Sequence, residues 1–130
     1  MPYSRHFIPE VRRFEITFEG EVPADEIVQN YMEMIHSDEW GEDVVRLVTV
    51  KSGADLSELT IELFQTRFVE ILEETAAISG PPKKQAWVIE NDVTMPIVKT
   101  WELMPEALEL DRFKVFQTRE EALAWLEKAS

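Results

Sequence analysis

Residues 45–59 read VRLVTVKSGADLSEL, and how this stretch is read decides the fold. Val44, Val45, Leu47, Val48 and Val50 make a nearly continuous apolar run, interrupted by Arg46. Such a run suits a strand covered on both faces. It stops at Lys51-Ser52-Gly53, and Asp55 and Ser57 then lead toward a helix. Strand, small-residue turn and helix start are the parts of a parallel crossover, but also of a phosphate cradle.

Upstream, Phe14, Ile16 and Phe18 alternate with Glu15, Thr17 and Glu19, the period of a half-buried strand. The residues before Pro9-Glu10 read as its hairpin partner. Pro23, Asp25 and Glu26 suit the first turn of a helix over residues 24–36, with Ile27, Tyr31, Met34 and Ile35 as its apolar stripe. The acidic loop HSDEWGED follows. Downstream, the spacing of Ile61, Phe64, Phe68, Ile71, Leu72 and Thr75 predicts a second helix over residues 58–77, with Asp55 and Ser57 competing to cap it. Gly80 and two prolines end it.

A strand over residues 85–90 comes next. Asn91 or Asp92 then caps a third helix with Pro96 in its first turn. Pro105 breaks that helix, and a short turn follows over residues 106–110. At the end, residues 113–116 form a strand. Thr118 and Glu121 stand at capping-box spacing ahead of a stripe of Ala122, Trp125, Leu126 and Ala129. The order β-β-α-β-α-β-α-β-α predicts one α/β domain over residues 1–130. Its sheet is mixed and mainly parallel, opened by an antiparallel hairpin, with about four helices packed against it.

Composition agrees with one folded core: 130 residues, 45% hydrophobic and 30% charged. With no cysteine, thiolate zinc sites and thiol catalysis are excluded, which fits a cytoplasmic setting. No apolar run approaches the roughly 20 residues that cross a bilayer, and the N-terminus lacks a signal-peptide core. The net charge of −13 opposes binding to nucleic acid or to an anionic membrane surface.

Recognisable chemistry is scarce. His6 and His36 lie 30 positions apart without a second ligand at metal spacing, and His36 suits the negative end of a helix dipole. Asp38, Glu39, Glu42 and Asp43 do not follow the calcium-loop pattern. Ser52-Gly53 lacks the first glycine of a nucleophile elbow, and both glycine-rich phosphate loops are missing. No catalytic residue, metal or cofactor is therefore assigned. What stands out is apolar: Phe64 and Phe68 in the second helix, with Met95, Ile97, Trp101 and Met104 in the third. They point to core packing, a partner surface, or the wall of an apolar pocket.

The βα order, the SGADLSEL segment and the ending KVFQTREEALAWLEK resemble the SpoIIAA-like family, small bacterial STAS domains related to the lipid-binding CRAL-TRIO fold. The resemblance spans roughly residues 14–128, and VFQTREEALAWL is its most specific part. It implies a mixed sheet with packed helices and no enzymatic activity. It also implies a phosphorylated serine at the start of the helix after the central strand, which makes Ser57 and Ser52 candidate acceptors. Where the family carries an aspartate before that serine, this chain has Val50 and Lys51. The expected role is a regulatory or binding module that engages a protein partner or a second copy of itself. A carrier of a small apolar or lipid-like ligand beneath helices two and three is the alternative.

Overall fold

The structure, a computed structural model, describes residues 3–41, 43–58, 60–80, 83–90, 94–103 and 112–128. Strand β1 (Tyr3–Ile8) and strand β2 (Arg13–Phe18) form the expected hairpin, joined by a 3-10 turn at Pro9–Val11. Arg12 closes the turn at φ 51, a left-handed conformation costing a non-glycine residue roughly 1 kcal/mol. Several contacts offset that cost. The Arg12 carbonyl accepts from Val45 N–H at 3.0 Å, its Nε donates to both Asp43 carboxylate oxygens at 3.2 Å, and its guanidinium lies 5.3 Å from the Phe7 ring centre.

Helix α1 spans Ala24–Ile35 and strand β3 spans Val45–Val50. The second helical stretch is broken into four pieces: α2 (Ile61–Leu63), a π-helical turn (Phe64–Phe68), α3 (Val69–Glu74) and α4 (Ala76–Ser79). Gly80 leaves it at φ 79, a conformation glycine adopts without strain. Strand β4 (Lys84–Ile89), helix α5 (Met95–Glu102), strand β5 (Arg112–Phe116) and helix α6 (Arg119–Glu127) complete the described elements. The expected caps at Asn91 or Asp92, the break at Pro105 and the turn at residues 106–110 lie outside the described residues.

The sheet runs β1-β2-β3-β4-β5. Its first pair is antiparallel and the remaining three are parallel. Each crossover therefore steps one strand in the same direction. Right-handed connections then stack α1, the α2–α4 stretch and α5 on one face. Register fixes what that face carries: Phe14, Ile16 and Phe18 from β2, Val48 and Val50 from β3, Trp87 and Ile89 from β4, Phe113 and Val115 from β5. All are buried, each contributing on the order of 2 kcal/mol by leaving water.

The opposite face is covered by α6, where Ala122 and Leu126 meet Leu47, Ala86 and Val88. Strands β3 and β4 are thus buried on both sides, which is why their sequences read as apolar runs. Over β1 and β2, Arg13, Glu15 and Thr17 stay half-buried, in keeping with the alternation seen in the sequence. Thr118 caps α6 as expected: its Oγ1 accepts from Glu121 N–H at 3.2 Å and donates to the Glu121 carboxylate at 3.0 Å. His36 caps the other end of α1, its Nδ1 donating to the Met32 carbonyl at 2.8 Å.

Candidate functional site

In open α/β sheets, ligands are met outside the carboxyl ends of the strands. Here that edge is the rim where β2, β3 and β4 end, and it contains both candidate serines. Glu19, Gly20, Glu21, Lys51, Ser52, Gly53, Asp55, Ser57, Glu58 and Glu90 are all exposed on it. Exposure does not make the rim loose. Lys51 N–H donates to the Phe18 carbonyl at 3.0 Å and Glu90 N–H to the Val50 carbonyl at 2.9 Å. Asp55 donates its N–H to the Gly20 carbonyl at 2.7 Å and accepts from Val22 N–H at 2.9 Å. The exit of β3 is in this way hydrogen-bonded alongside the exit of β2, with Leu56 buried beneath. Gly20 allows the approach because its φ is 66.

The expected cap is corrected by this geometry. Because Asp55 pairs with residues 20–22, Ser57 and Glu58 lie in a turn, and the helix begins only at Ile61. Its first turn is capped by Thr60, whose Oγ1 accepts from Leu63 N–H at 3.0 Å. Asp55 instead makes a local turn, its Oδ1 accepting from Ser57 N–H at 3.0 Å. The Ser57 hydroxyl and N–H together hold the Asp55 carboxyl below its ordinary value. A carboxylate so stabilised is a weak base, so the Ser57 hydroxyl is oriented by it rather than activated. Ser52 stands in the turn directly after β3.

Glu58 supplies a link that the sequence did not reveal. Its Oε1 accepts from Ala24 N–H at 2.9 Å, capping α1 from a different segment. Pro23 precedes α1 and offers no side-chain cap of its own. The nearest sequence signal is an acid three positions before a helix, which reads locally as a cap for α2 and not for α1.

The apolar candidates divide. Phe68 and Met95 are half-buried and pack on the same core cluster from separate helices. Phe64 lies in the π-turn, and Ile97 and Trp101 lie in α5. The side chains of those three, and the whole of Met104, fall outside the described residues. Within α5, Val98 is wholly buried, while Leu103 just past the helix is 78% exposed.

A second cluster, at the amino ends of the strands, went unpredicted. Arg46 and Lys83 are buried, and their cationic ends lie 5.8 and 4.8 Å from the centre of the Trp40 ring. Trp40 Nε1 donates to the Ser79 carbonyl at 3.1 Å, and Lys83 Nζ donates to the same oxygen. Lys84 Nζ likewise reaches the Trp125 carbonyl at 3.0 Å and that of Lys128 at 2.6 Å. Helices that run antiparallel to the strands end here, so cations meet the negative ends of their dipoles. The clue in the sequence was Arg46, a charge inside an apolar strand.

Among the described residues, no group of three or more His, Cys, Asp or Glu side chains is placed to hold a metal ion. Among the same residues, no helix is long and apolar enough to cross a membrane. No protein-family model, curated protein or solved structure matches this chain.

Proposed function

We propose that this chain is a bacterial, cytoplasmic SpoIIAA-like (STAS-like) module without catalytic activity, which works by binding another protein or a second copy of itself through the carboxyl-end rim. The observation that carries the reading is the pairing of Asp55 with Gly20 and Val22. It presents Ser52, Ser57 and their acidic neighbours on a fixed surface instead of a loose loop. A preorganised surface loses little conformational entropy on docking. Glu19, Glu21, Asp55, Glu58 and Glu90 favour a partner whose docking face is basic.

Site-specific photo-crosslinking in the native host tests this reading. A crosslinker at position 57 should trap one defined protein, whereas one at position 10, on the hairpin turn at the opposite end of the strands, should not. The mass of the adduct distinguishes a second copy from another protein. No adduct at position 57, or the same adducts from both positions, would overturn the proposal.

A second reading, a carrier of a small apolar or lipid-like ligand, is favoured by the way Phe68 and Met95 converge on one core cluster from two helices. Native mass spectrometry of freshly purified protein should then show a copurified ligand. A bare polypeptide mass would remove this reading.

A further inference from the structure

We infer that residues 61–74 form a lid, hinged at Thr75, that swings from the sheet while the rest of the domain stays folded. The inference goes beyond the partner-binding reading and does not require it.

Anchoring is the first argument. Helix α1 sinks Ala24, Asn30, Met34 and Ile35 into the core, and α6 sinks Ala122 and Leu126. Neither α3 nor α4 has a fully buried residue. Among the arm's described apolar side chains, Leu63, Phe68, Val69, Ile71 and Leu72 reach only half-burial, so each is less firmly anchored than the buried residues of α1.

The backbone is also interrupted where a lid needs joints. The helical ladder widens into a π-turn at Phe64–Phe68 and breaks at Thr75, which sits at φ −100 and ψ 4. π-Turns inside helices recur at functional sites. At each interruption a threonine hydroxyl serves a carbonyl of the preceding turn: Thr66 Oγ1 donates to Glu62 O at 2.9 Å, and Thr75 Oγ1 to Ile71 O at 2.7 Å.

The attachments are unequal. At the hinge end, Thr75 is buried and its Oγ1 lies 3.0 Å from Tyr31 Oη, while Ser79 is gripped by Trp40 and Lys83. Across the arm, Arg67 pairs with Asp25 of α1 at 2.7 Å, the arginine half exposed and the aspartate largely so. Exposed pairs of this kind add little stability. Glu62, Glu70, Glu73 and Glu74 on the arm are exposed. The arm's outer face is thus already solvated, and salt weakens the exposed ion pair that ties it to α1. Opening uncovers the part of the apolar sheet face that Phe68 and Val69 cover.

Hydrogen–deuterium exchange of the full chain, read peptide by peptide, tests the lid. Amides of residues 66–74 should exchange at least about tenfold faster than those of residues 28–35. Nile red, a neutral apolar probe, should gain fluorescence with the native protein. Protection over residues 66–74 equal to that of α1 would overturn the inference, and so would fast exchange without any dye response. A bare mass in native mass spectrometry would count against the carrier reading alone and leave these measurements untouched.

Discussion

Arg119, the first residue of α6, closes on Glu15 in β2, 104 positions earlier, with its guanidinium 3.0 Å from the carboxylate. Arg13 grips the same carboxylate at 2.8 Å. The final helix is therefore fixed to the first strand pair by charge as well as to the sheet by Ala122 and Leu126. Burial alone would raise the Glu15 pKa, but the hydrogen bonds from Arg13 and Arg119 outweigh it and hold the carboxyl below its ordinary value.

A depressed carboxyl contributes stability above its unfolded pKa and loses that contribution as pH falls through the folded one. Glu15→Gln should therefore cost about 1–2 kcal/mol at neutral pH, a figure kept modest because Arg119 is half exposed. The difference from the native protein should shrink at the lowest pH at which both still fold. Urea denaturation at the two pH values measures it. A cost independent of pH would show that the carboxylate's charge plays no part.

Which residue caps the helix after β3 is equally open to measurement. Thr60→Ala removes the hydroxyl that receives Leu63 N–H and should cost about 1 kcal/mol. Ser57→Ala should change stability by less than about 0.5 kcal/mol, because the hydroxyl and its hydrogen bond to Asp55 both lie exposed to water. The reverse ranking would place the helix start at Ser57.

That contrast shows where sequence reading reached its limit. Strand β2 was legible because Phe14, Ile16 and Phe18 alternate with polar residues, and α6 because Thr118 and Glu121 announce it. Both signals are local. Serine 57 and Thr60 are both good capping residues, and the choice between them is made by the bridge of Asp55 to Gly20 and Val22, more than 30 positions away. The side of the sheet taken by α6 was likewise hidden, since an apolar stripe does not say which face it will meet. The π-turn at Phe64–Phe68 has no compositional mark, so the spacing predicted one unbroken helix. Rim and lid were thus only partly visible: their residues could be named, but not how they are held.

Tyr3 on the edge strand gives a third measurement. Its hydroxyl donates to Glu33 Oε1 at 2.7 Å, tying β1 to α1. Burial, then the hydrogen bond to Glu33, push its pKa up to about 12. A raised tyrosine pKa means its contribution is complete below the unfolded value and lost as pH rises through the folded one. Stability should therefore fall between the unfolded value near pH 10 and about pH 12. Absorbance titration of the native protein minus Tyr3→Phe isolates this group. A difference curve centred on the ordinary tyrosine value would refute the buried hydrogen bond.

Trp40 joins the cationic cluster to the end of α4, and its substitutions should rank by what they remove. Trp40→Phe keeps an aromatic face for Arg46 and Lys83 but loses the donor to Ser79 O, at a cost of about 1 kcal/mol. Trp40→Leu also removes that face and should cost about 3 kcal/mol. The decisive comparison is a double-mutant cycle with Lys83→Met. If the ammonium 4.8 Å from the ring centre interacts with the indole, the two changes together should cost less than the sum of their separate costs, by about 0.5–2 kcal/mol. Strict additivity would mean that the ring does not hold the Lys83 ammonium and serves only as packing.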